Sequence, residues 1–512
     1  MHALRDDDLA DPPLADASSP VPTRNDPLGD EFVRRIGLGL IPATVIDQFV
    51  SASAGEALTL WFGDIPACAR LVRLHFDRAI AAIDVALSDA AVALIGHPRF
   101  TALEGAWRGV AWLCQGLVAD GMSRVRLLDV RWTELARDLE RAPEFDRSAL
   151  FLKVYEEEFG TPGGLPYSLL IALHEVRHRP AAGHKIDDIT ALRHLSAVAA
   201  AAFTPIILNV APALFAAETF ADLDLRRSLA PLFRQIEYNR LQSLQRHPDT
   251  RFLGLVAPRI VVRAPWSRAT LPDLGFRYTG RDRPLLAGGA LAVAHIAIRA
   301  FNDQRWPAVI TGTIRDELAG GLITGLPEMS FDTDRPGVAI RPPIELNLSE
   351  AIDRDLNEAG IIAIRRVRDT PWLAIYAMPS FHRSDAVYHA DAARANDRLS
   401  GMLSYMLCVS RFAHYIKIIG RDLVGSSSSP TEIEGRLQRW LNTYTSTGDR
   451  MSADMQARYP LQEARIRVTD IAGRAGALEC AVWLKPHFQI DQAVSEFHLV
   501  TVVAQPGAGA PT

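Results

Sequence analysis

Residues 411–417 read Arg-Phe-Ala-His-Tyr-Ile-Lys, and they close a long apolar stretch that begins at Leu399 and ends at Leu423. Between Leu399 and Arg411 this stretch has no charged residue, which is typical of a helix that is buried on all sides. Gly425 and the four serines at 426–429 then end the helix. The stretch therefore predicts a core helix, which is covered either by this chain or by a partner.

A second helix and a small sheet follow the core helix. Thr431 and Glu434 have the spacing of a helix-capping box. The apolar face of the second helix would consist of Ile433, Leu437, Trp440, Leu441 and Tyr444. Alternation of apolar with other residues predicts three short strands, at 464–468, 478–484 and 497–503. A three-stranded sheet has two open edges that invite pairing with another chain, so this last quarter predicts an assembly surface.

The N-terminal part predicts two helices joined by a short break, as in a helical hairpin. Helical spacing over 69–95 places on one face Phe76, Ile80, Ile83, Leu87 and Leu94. The inner face of the second helix would hold Phe100, Leu103, Trp107, Ala111 and Cys114. On the same helix Glu104 and Arg108 can pair across one turn, and Gly105 and Gly109 would let another backbone approach closely.

The central part predicts a mixed α/β domain, because strand and helix patterns alternate from Val125 to about residue 376. Val125–Val130 predicts a strand, and 133–140 predicts a helix. The uncharged stretch Leu195–Ala217 is long enough to span a bilayer. Because prolines interrupt it, we interpret it as a buried helix that ends near Phe203, followed by a buried strand over 206–210.

Composition excludes several classes of function. The 512 residues carry a net charge of -5, which gives no basic footprint for nucleic acid or for anionic lipid. The four cysteines are far apart and form no CxxC pair, which favours a reducing, cytoplasmic location. The first 28 residues are rich in Asp and Pro and lack the pattern of a signal peptide, so we expect a disordered tail.

One motif points to zinc chemistry. His174-Glu175-Val176-Arg177-His178 is the HExxH pattern, in which two histidines bind zinc from one helical turn and the glutamate acts as base. His184 would then be the third ligand. However, the uniformly apolar residues 168–173 predict a strand, on which His174 and His178 would lie about 13 Å apart. We therefore expect no catalytic residue, metal or cofactor, and a zinc peptidase that uses this motif is the alternative.

Two further candidates have simpler interpretations. Asp187 and Asp188 could be ligands, but their place just before a helix predicts a cap. His414 beside Tyr415 could be a catalytic pair. A packed helix end whose Arg411, Lys417 and Arg421 bind carboxylates of a neighbouring subunit is the interpretation that we adopt.

Five ordered segments together resemble the large contractile-sheath subunit of type VI secretion systems, the TssC or VipB family. The segments are His97–Gly109, Phe159–Phe203, Arg251–Trp266, Asn396–Gly425 and Pro460–Val503. The likeness covers about residues 70–503, although Trp266 stands where the family usually has Tyr.

The resemblance implies a structural protein without enzymatic activity. Such a subunit pairs with a small sheath subunit of the TssB/VipA type, and the pairs stack with further copies as a helical tube. The other implied partners are an inner-tube protein of the Hcp type, a baseplate and an AAA+ recycling ATPase of the ClpV type. Nucleic acid and direct membrane insertion are not expected. A sheath-like subunit of another contractile injection device is a further alternative.

The implied organisation is multi-domain, with mixed α/β structure. We expect a tail (1–28), a helical region that docks the small subunit (29–120), an α/β sheath core (121–376), a sheath domain with a strand-exchange sheet (377–503) and a second tail (504–512). The candidate assembly residues are Glu104, Trp107, Arg108, Arg411, His414, Lys417, Arg421, His487 and Gln489. Charge reversal at Arg411 or Arg421 should weaken assembly and leave the isolated fold intact.

Overall fold

The computed structural model describes residues 51–53, 56, 69–118, 121, 123–161, 163–266, 283–313, 318–331, 340–384, 397, 400–423, 429–446, 448, 453–471, 478–487 and 497–503. The chain divides into two compact units. The first comprises Met1–Thr101 and Trp266–Asp282, and the second comprises Ala102–Pro265 and Arg283–Thr512.

The described residues form helices and several small sheets, so the mixed α/β class is confirmed. The helices of six or more residues, apart from 3-10 turns, are α1 (Ala69–Gly96), α2 (Pro98–Gln115), α3 (Trp132–Arg141), α4 (Asp188–Ala202), α5 (Asn239–Gln245), α6 (Ala290–Gln304), α7 (Glu350–Glu358), α8 (Leu403–Leu423), α9 (Pro430–Asn442) and α10 (Ala453–Arg458). The strands are β1 (Leu170–Val176), β2 (Ile206–Val210), β3 (Leu253–Ala257), β4 (Ile260–Arg263), β5 (Leu285–Ala287), β6 (Leu322–Ile323), β7 (Met329–Ser330), β8 (Ile340–Arg341), β9 (Ile361–Ala363), β10 (Arg365–Arg366), β11 (Leu373–Ala374), β12 (Leu461–Asp470), β13 (Leu478–Pro486) and β14 (Phe497–Val503).

A four-stranded parallel sheet in the order β1-β2-β3-β9 forms the centre of the second unit. Strands β2, β3 and β9 are buried along their whole length because both faces are covered, as is usual for parallel sheets, whereas the edge strand β1 is only partly buried. Ile207 packs into one hydrophobic cluster, whereas Ile206 and Leu208 pack into another on the opposite face. Helices α4, α5 and α7 contribute to the second cluster, and α6 and α8 contribute to the first.

The C-terminal sheet is antiparallel, with the order β12-β13-β14. Its buried side chains, such as Ile466 and Val482, belong to the same hydrophobic cluster as α8 and α9. The three strands predicted near 464–468, 478–484 and 497–503 are therefore confirmed; the first two are longer than predicted, and the third has the predicted bounds. The long helix is also confirmed, over Leu403–Leu423, and it is buried on all sides up to Ala413 except at Arg411.

Three local predictions are wrong. Residues 123–130 form no strand, and Leu127 and Leu128 are exposed because no neighbouring strand pairs with them. Helix α2 exposes Trp107 and buries its glycine side, the reverse of the predicted inner face. The capping box of α9 consists of Ser429 and Glu432, since Pro430 occupies the first helical position.

The apolar stretch Leu195–Ala217 consists of the end of α4, the wholly buried strand β2 and a turn, as predicted. By length and composition alone, one described helix is long and apolar enough to cross a bilayer, over Phe76–Gly96. Only 11% of its most apolar window is buried within the protein.

Candidate assembly interface and histidine cluster

The two long edges of the C-terminal sheet differ in what covers them. On β12 the backbone groups that point away from β13 meet side chains of α9. Gln438 Nε2 donates to the Ala464 carbonyl (2.9 Å), and Gln438 Oε1 accepts from the Ile466 amide (3.0 Å). Glu434 Oε2 accepts from the Val468 amide (2.9 Å). These two side chains occupy the edge as a neighbouring strand would, so β12 is closed to strand addition.

The β14 edge has no such cover within the described part of the chain. Backbone pairing of β14 with β13 runs from Leu478 opposite Val503 to Leu484 opposite Phe497. Because Ala464, Ile466 and Val468 point away from β13, alternation along the ladder turns the backbone groups of His498, Val500 and Val502 away from it as well. The outer edge of β14 therefore presents a row of backbone donors and acceptors.

Sequence reasoning missed this asymmetry. It assigned Glu434 to a capping box, whereas Glu434 reaches a strand 34 residues further along the chain. Pro430 was the signal that sequence reasoning overlooked, because proline favours the first helical position. It would have placed the capping box at Ser429 and Glu432, so that Glu434 could bond elsewhere.

The basic residues at the end of α8 bind groups of their own chain. Lys417 Nζ donates to the Tyr155 hydroxyl (2.8 Å) and lies over the Tyr155 and Phe203 rings. Arg421 donates to the carbonyls of Phe159 (3.0 Å) and Thr161 (3.2 Å). These bonds tie α8 to the segment 155–161, so a charge reversal at Arg421 should damage the fold as well as any assembly.

Arg411 and His414 also face inward. Arg411 donates to the Tyr415 hydroxyl (3.0 Å) and lies 4.4 Å from the centroid of that ring. His414 is fully buried, and its Nε2 donates to the Ala202 carbonyl (3.1 Å). Burial lowers the pKa of His414 to about 3, so the ring is neutral at physiological pH. Both side chains thus contact groups of their own chain, and a role for either residue in assembly stays a prediction.

Glu104 and Arg108 pair as predicted, at 2.7 Å. Arg263 also donates to Glu104 (3.0 Å). Burial acts to raise the pKa of Glu104, but the two guanidinium groups hold it below its ordinary value. The Glu104 carboxylate therefore bonds to two arginines of its own chain. Trp107, on the same helix, is 59% exposed.

The close approach predicted at the glycines of α2 is confirmed. A Cβ on Gly105 would lie 2.5 Å from the Leu286 carbonyl oxygen, and a Cβ on Gly109 would collide with the Leu291 side chain. These contacts hold the glycine side of α2 against β5 and α6, and they leave Leu103 and Trp107 on the outer side.

His487 bonds within the C-terminal region. Its backbone amide donates to the Pro460 carbonyl (2.9 Å), and its Nε2 donates to the Ser446 carbonyl (2.8 Å). Gln489 lies outside the described residues. An interface role for either residue stays a prediction.

The HExxH residues lie on β1 and the turn after it, and they form no zinc helix. Glu175 is bound by Arg259 through two bonds of 2.5 and 2.8 Å, and Arg259 also contacts Glu345 (3.4 Å). His178 is 5% exposed and stacks on Tyr238, with ring centroids 4.6 Å apart. Burial lowers the pKa of His178. The carboxylate that a peptidase would need as its base is held by a guanidinium, so these residues lack the geometry that the zinc-peptidase alternative requires.

His174 and His184 instead meet Asp188. His184 Nε2 lies 2.9 Å from Asp188 Oδ1, and His174 Nε2 lies 3.4 Å from Asp188 Oδ2. Of the two residues predicted to cap α4, Asp187 occupies the N-cap position, although its side chain makes no capping bond to the backbone, and Asp188 is the first helical residue. The Asp188 carboxylate also accepts from the Trp132 indole and the Arg177 amide. Burial acts to raise the pKa of Asp188, but these bonds, that from His174 foremost, hold it below its ordinary value.

Comparison with known proteins gives a consistent picture. A family model described as EvpB/VC_A0108, tail sheath N-terminal domain, matches residues 77–382. A second, described as EvpB/VC_A0108, tail sheath gpW/gp25-like domain, matches residues 392–503. The type VI secretion system sheath protein TssC1 of Pseudomonas aeruginosa is 30% identical over 434 residues, which cover 83% of this chain and 85% of that protein.

Two cryo-EM structures of the anti-feeding prophage are more distant. A chain of the baseplate is 10% identical with a TM-score of 0.31, over 78% of this chain and 83% of that one. A chain of the helical sheath in the contracted state is 9% identical with a TM-score of 0.28, over 63% and 65% of the two chains.

Proposed function

Because the chain belongs to the EvpB/VC_A0108 tail sheath family, we propose that it is the large subunit of a type VI secretion contractile sheath and pairs with a small subunit of the TssB/VipA type. Copies of this pair stack into a helical tube around an inner tube of the Hcp type, starting at a baseplate. Contraction of the extended lattice to a denser one then drives the inner tube outward for effector delivery, as in other bistable assemblies.

The observation that carries this proposal is the unequal cover of the C-terminal sheet. Gln438 and Glu434 occupy the β12 edge, so within the described part of this sheet the β14 edge is the one left open to an added strand. A strand from a neighbouring subunit that pairs with His498, Val500 and Val502 would link subunits through backbone bonds. Such a link tolerates rotation of the subunits during contraction, because it depends on one extended segment and not on a large rigid surface.

The first unit supplies a candidate surface for the small subunit. On α1 the exposed apolar side chains include Phe76 (42%), Ile80 (55%), Leu87 (64%) and Leu94 (63%). A water-exposed apolar stripe of this length marks a protein interaction site. We assign it to helices of the small subunit, because two amphipathic helices bury such stripes against each other. Trp107, on α2, is an exposed aromatic anchor of the second unit for the same partner.

The protein would then act in the cytoplasm without bond chemistry and without a cofactor. Recycling of the contracted sheath by an AAA+ ATPase of the ClpV type would proceed mainly through the small subunit.

The test is co-expression of the chain with the small-subunit candidate from its gene neighbourhood, followed by electron microscopy. Hollow tubules of regular diameter are the expected result. Soluble heterodimers that never polymerise, or no association at all, would overturn the proposal.

A matched pair of variants tests the strand edge. Val500→Pro removes one outward N–H and leaves the β13 ladder intact, whereas Val500→Thr keeps that N–H and the β-branched shape. We expect the proline variant to form heterodimers but few tubules and the threonine variant to form both. Equal tubule yields would exclude strand addition at β14.

A further inference from the structure

The structure brings together three potential metal ligands, of which only His174 belongs to the HExxH pattern. One ligand atom from each of His174, His184 and Asp188 lies within 4.8 Å of the other two. His178, the second histidine of the pattern, is not in this group and stacks on Tyr238. We propose that His174, His184 and Asp188 bind one zinc ion, which fastens β1 and the turn after it to the start of α4.

The distances fit a zinc ion. Zinc binds imidazole nitrogen and carboxylate oxygen at about 2.0–2.2 Å, so ligand atoms around a tetrahedral ion lie about 3.3 Å apart. His184 Nε2 lies 2.9 Å from Asp188 Oδ1, a hydrogen-bond distance that would have to lengthen when an ion binds, and His174 Nε2 lies 3.4 Å from Asp188 Oδ2. The two imidazoles therefore face the two oxygens of one carboxylate. Two neutral imidazoles and a carboxylate are also among the donor sets that zinc prefers.

Neighbouring groups hold His174 and Asp188 in place. The Trp132 ring stacks on His174 with centroids 4.1 Å apart and an angle of 9°. The Asp188 carboxylate accepts from Trp132 Nε1 (2.8 Å) and from the Arg177 amide (2.8 Å). Such second-layer bonds orient metal ligands and tune their affinity.

A tight turn presents His184. Ala181 and His184 exchange two backbone hydrogen bonds of 2.9 Å each, and Gly183 between them has φ +78°, a conformation that favours glycine. This turn follows the end of β1 and precedes α4, so an ion here would join three consecutive pieces of backbone.

The site is also accessible. Asp188 is 1% exposed, whereas the side chains of His174 and His184 are 18% and 16% exposed. An ion can therefore enter from solvent on the histidine side, and water can fill its remaining position. Glu175, which would be the base of a zinc peptidase, is held by Arg259.

The experiment measures how much zinc binds to the full chain. The protein is purified through a tag without histidines, equilibrated with zinc chloride and then gel-filtered to remove free zinc. We expect about one zinc per chain in the wild type and at least a tenfold lower affinity in His184→Ala, the loss seen even when only supporting residues of a zinc site are changed. Zinc should raise the melting temperature of the wild type and leave that of His184→Ala unchanged.

Two controls separate this site from its rivals. His178→Phe keeps the ring that stacks on Tyr238 but removes the nitrogens, so it should retain zinc here and lose it in an HExxH site. His194→Ala removes another partly exposed histidine from α4 and should also retain zinc.

Three results would overturn the proposal: no zinc above the buffer level in the wild type, equal zinc in His184→Ala, or loss of zinc in His178→Phe with its fold intact. If His184→Ala does not fold, cobalt is added to the wild type instead, and its visible absorption spectrum tests whether the site binds metal. Bands of a four- or five-coordinate cobalt site with nitrogen and oxygen ligands support the site, and the spectrum of aqueous cobalt excludes it.

Discussion

Helices α1 and α8 are both long and apolar, yet their environments differ. In α8, with 21 residues, Phe412 and Ile416 are fully buried. In α1, with 28 residues, Ile80 is 55% and Leu87 is 64% exposed. The central sheet, α6 and the C-terminal sheet cover α8, whereas the described residues supply no comparable cover for α1. An apolar helix of this protein is thus a core element or an interface, depending on what else the chain places beside it.

The largest effect that would test this comparison is expected at Phe412. Its ring stacks on Trp306 with centroids 4.1 Å apart, and it is fully buried. Phe412→Ala should lower the free energy of unfolding by about 3–5 kcal/mol, since it leaves a cavity in a packed core. Urea denaturation of the full chain measures the change. A loss below about 1 kcal/mol would show that α8 is not part of the core.

A pH series should reveal the burial of His414. Burial lowers its folded pKa to about 3, below the ordinary value of 6.5, so the unfolded chain binds a proton that the folded chain does not. The stability that this neutral ring supports is full above pH 6.5 and is lost as the pH falls toward 3, at about 1.4 kcal/mol per pH unit.

His414→Gln should remove that dependence, because glutamine can donate to the Ala202 carbonyl but does not titrate. The measurement is urea denaturation at intervals from pH 7 to pH 4. His295, whose pKa burial also lowers, to about 4, should keep part of the slope in the variant. Identical slopes in the two proteins would show that His414 is solvated.

The two edges of the C-terminal sheet differ in the same way, because side chains of the same chain cover the β12 edge. Gln438→Ala removes two hydrogen bonds to β12 and should cost about 1–3 kcal/mol. It should also promote self-association of the isolated chain through the opened edge. Denaturation and light scattering measure the two effects. Arg436→Ala, at an exposed position of the same helix, is the control and should change neither quantity. A Gln438→Ala protein that stays monomeric would show that β12 needs no such cover.

The smallest effect on stability is expected at Leu87. Because its side chain is 64% exposed, Leu87→Ser should change the free energy of unfolding by less than about 0.5 kcal/mol. The same change should weaken binding of the small subunit, which a pull-down or calorimetric titration measures. Ala90→Ser, on an exposed position of α1, is the control. Unchanged binding in Leu87→Ser would move the docking surface away from α1.

Local sequence patterns were sufficient for much of the fold. The buried helix α8, the strand β2 between prolines and the three C-terminal strands all follow from periodicity over short windows. The glycine spacing in α2 also predicted the close backbone approach at Gly105. Where the pattern needed a partner strand, as at Val125–Val130, the same reasoning was wrong, because a strand depends on pairing and not on its own alternation.

The sequence by itself determined which segments are apolar, which are helical and where they end, because these properties depend on residues within one or two turns. Only the tertiary structure decided that Gln438 closes one sheet edge, that Arg259 holds Glu175 and that Asp188 gathers His174 and His184. The first two of these contacts join residues 28 and 84 positions apart. A buried polar group must find a partner wherever the fold provides one, so its partner is a property of the whole packed chain.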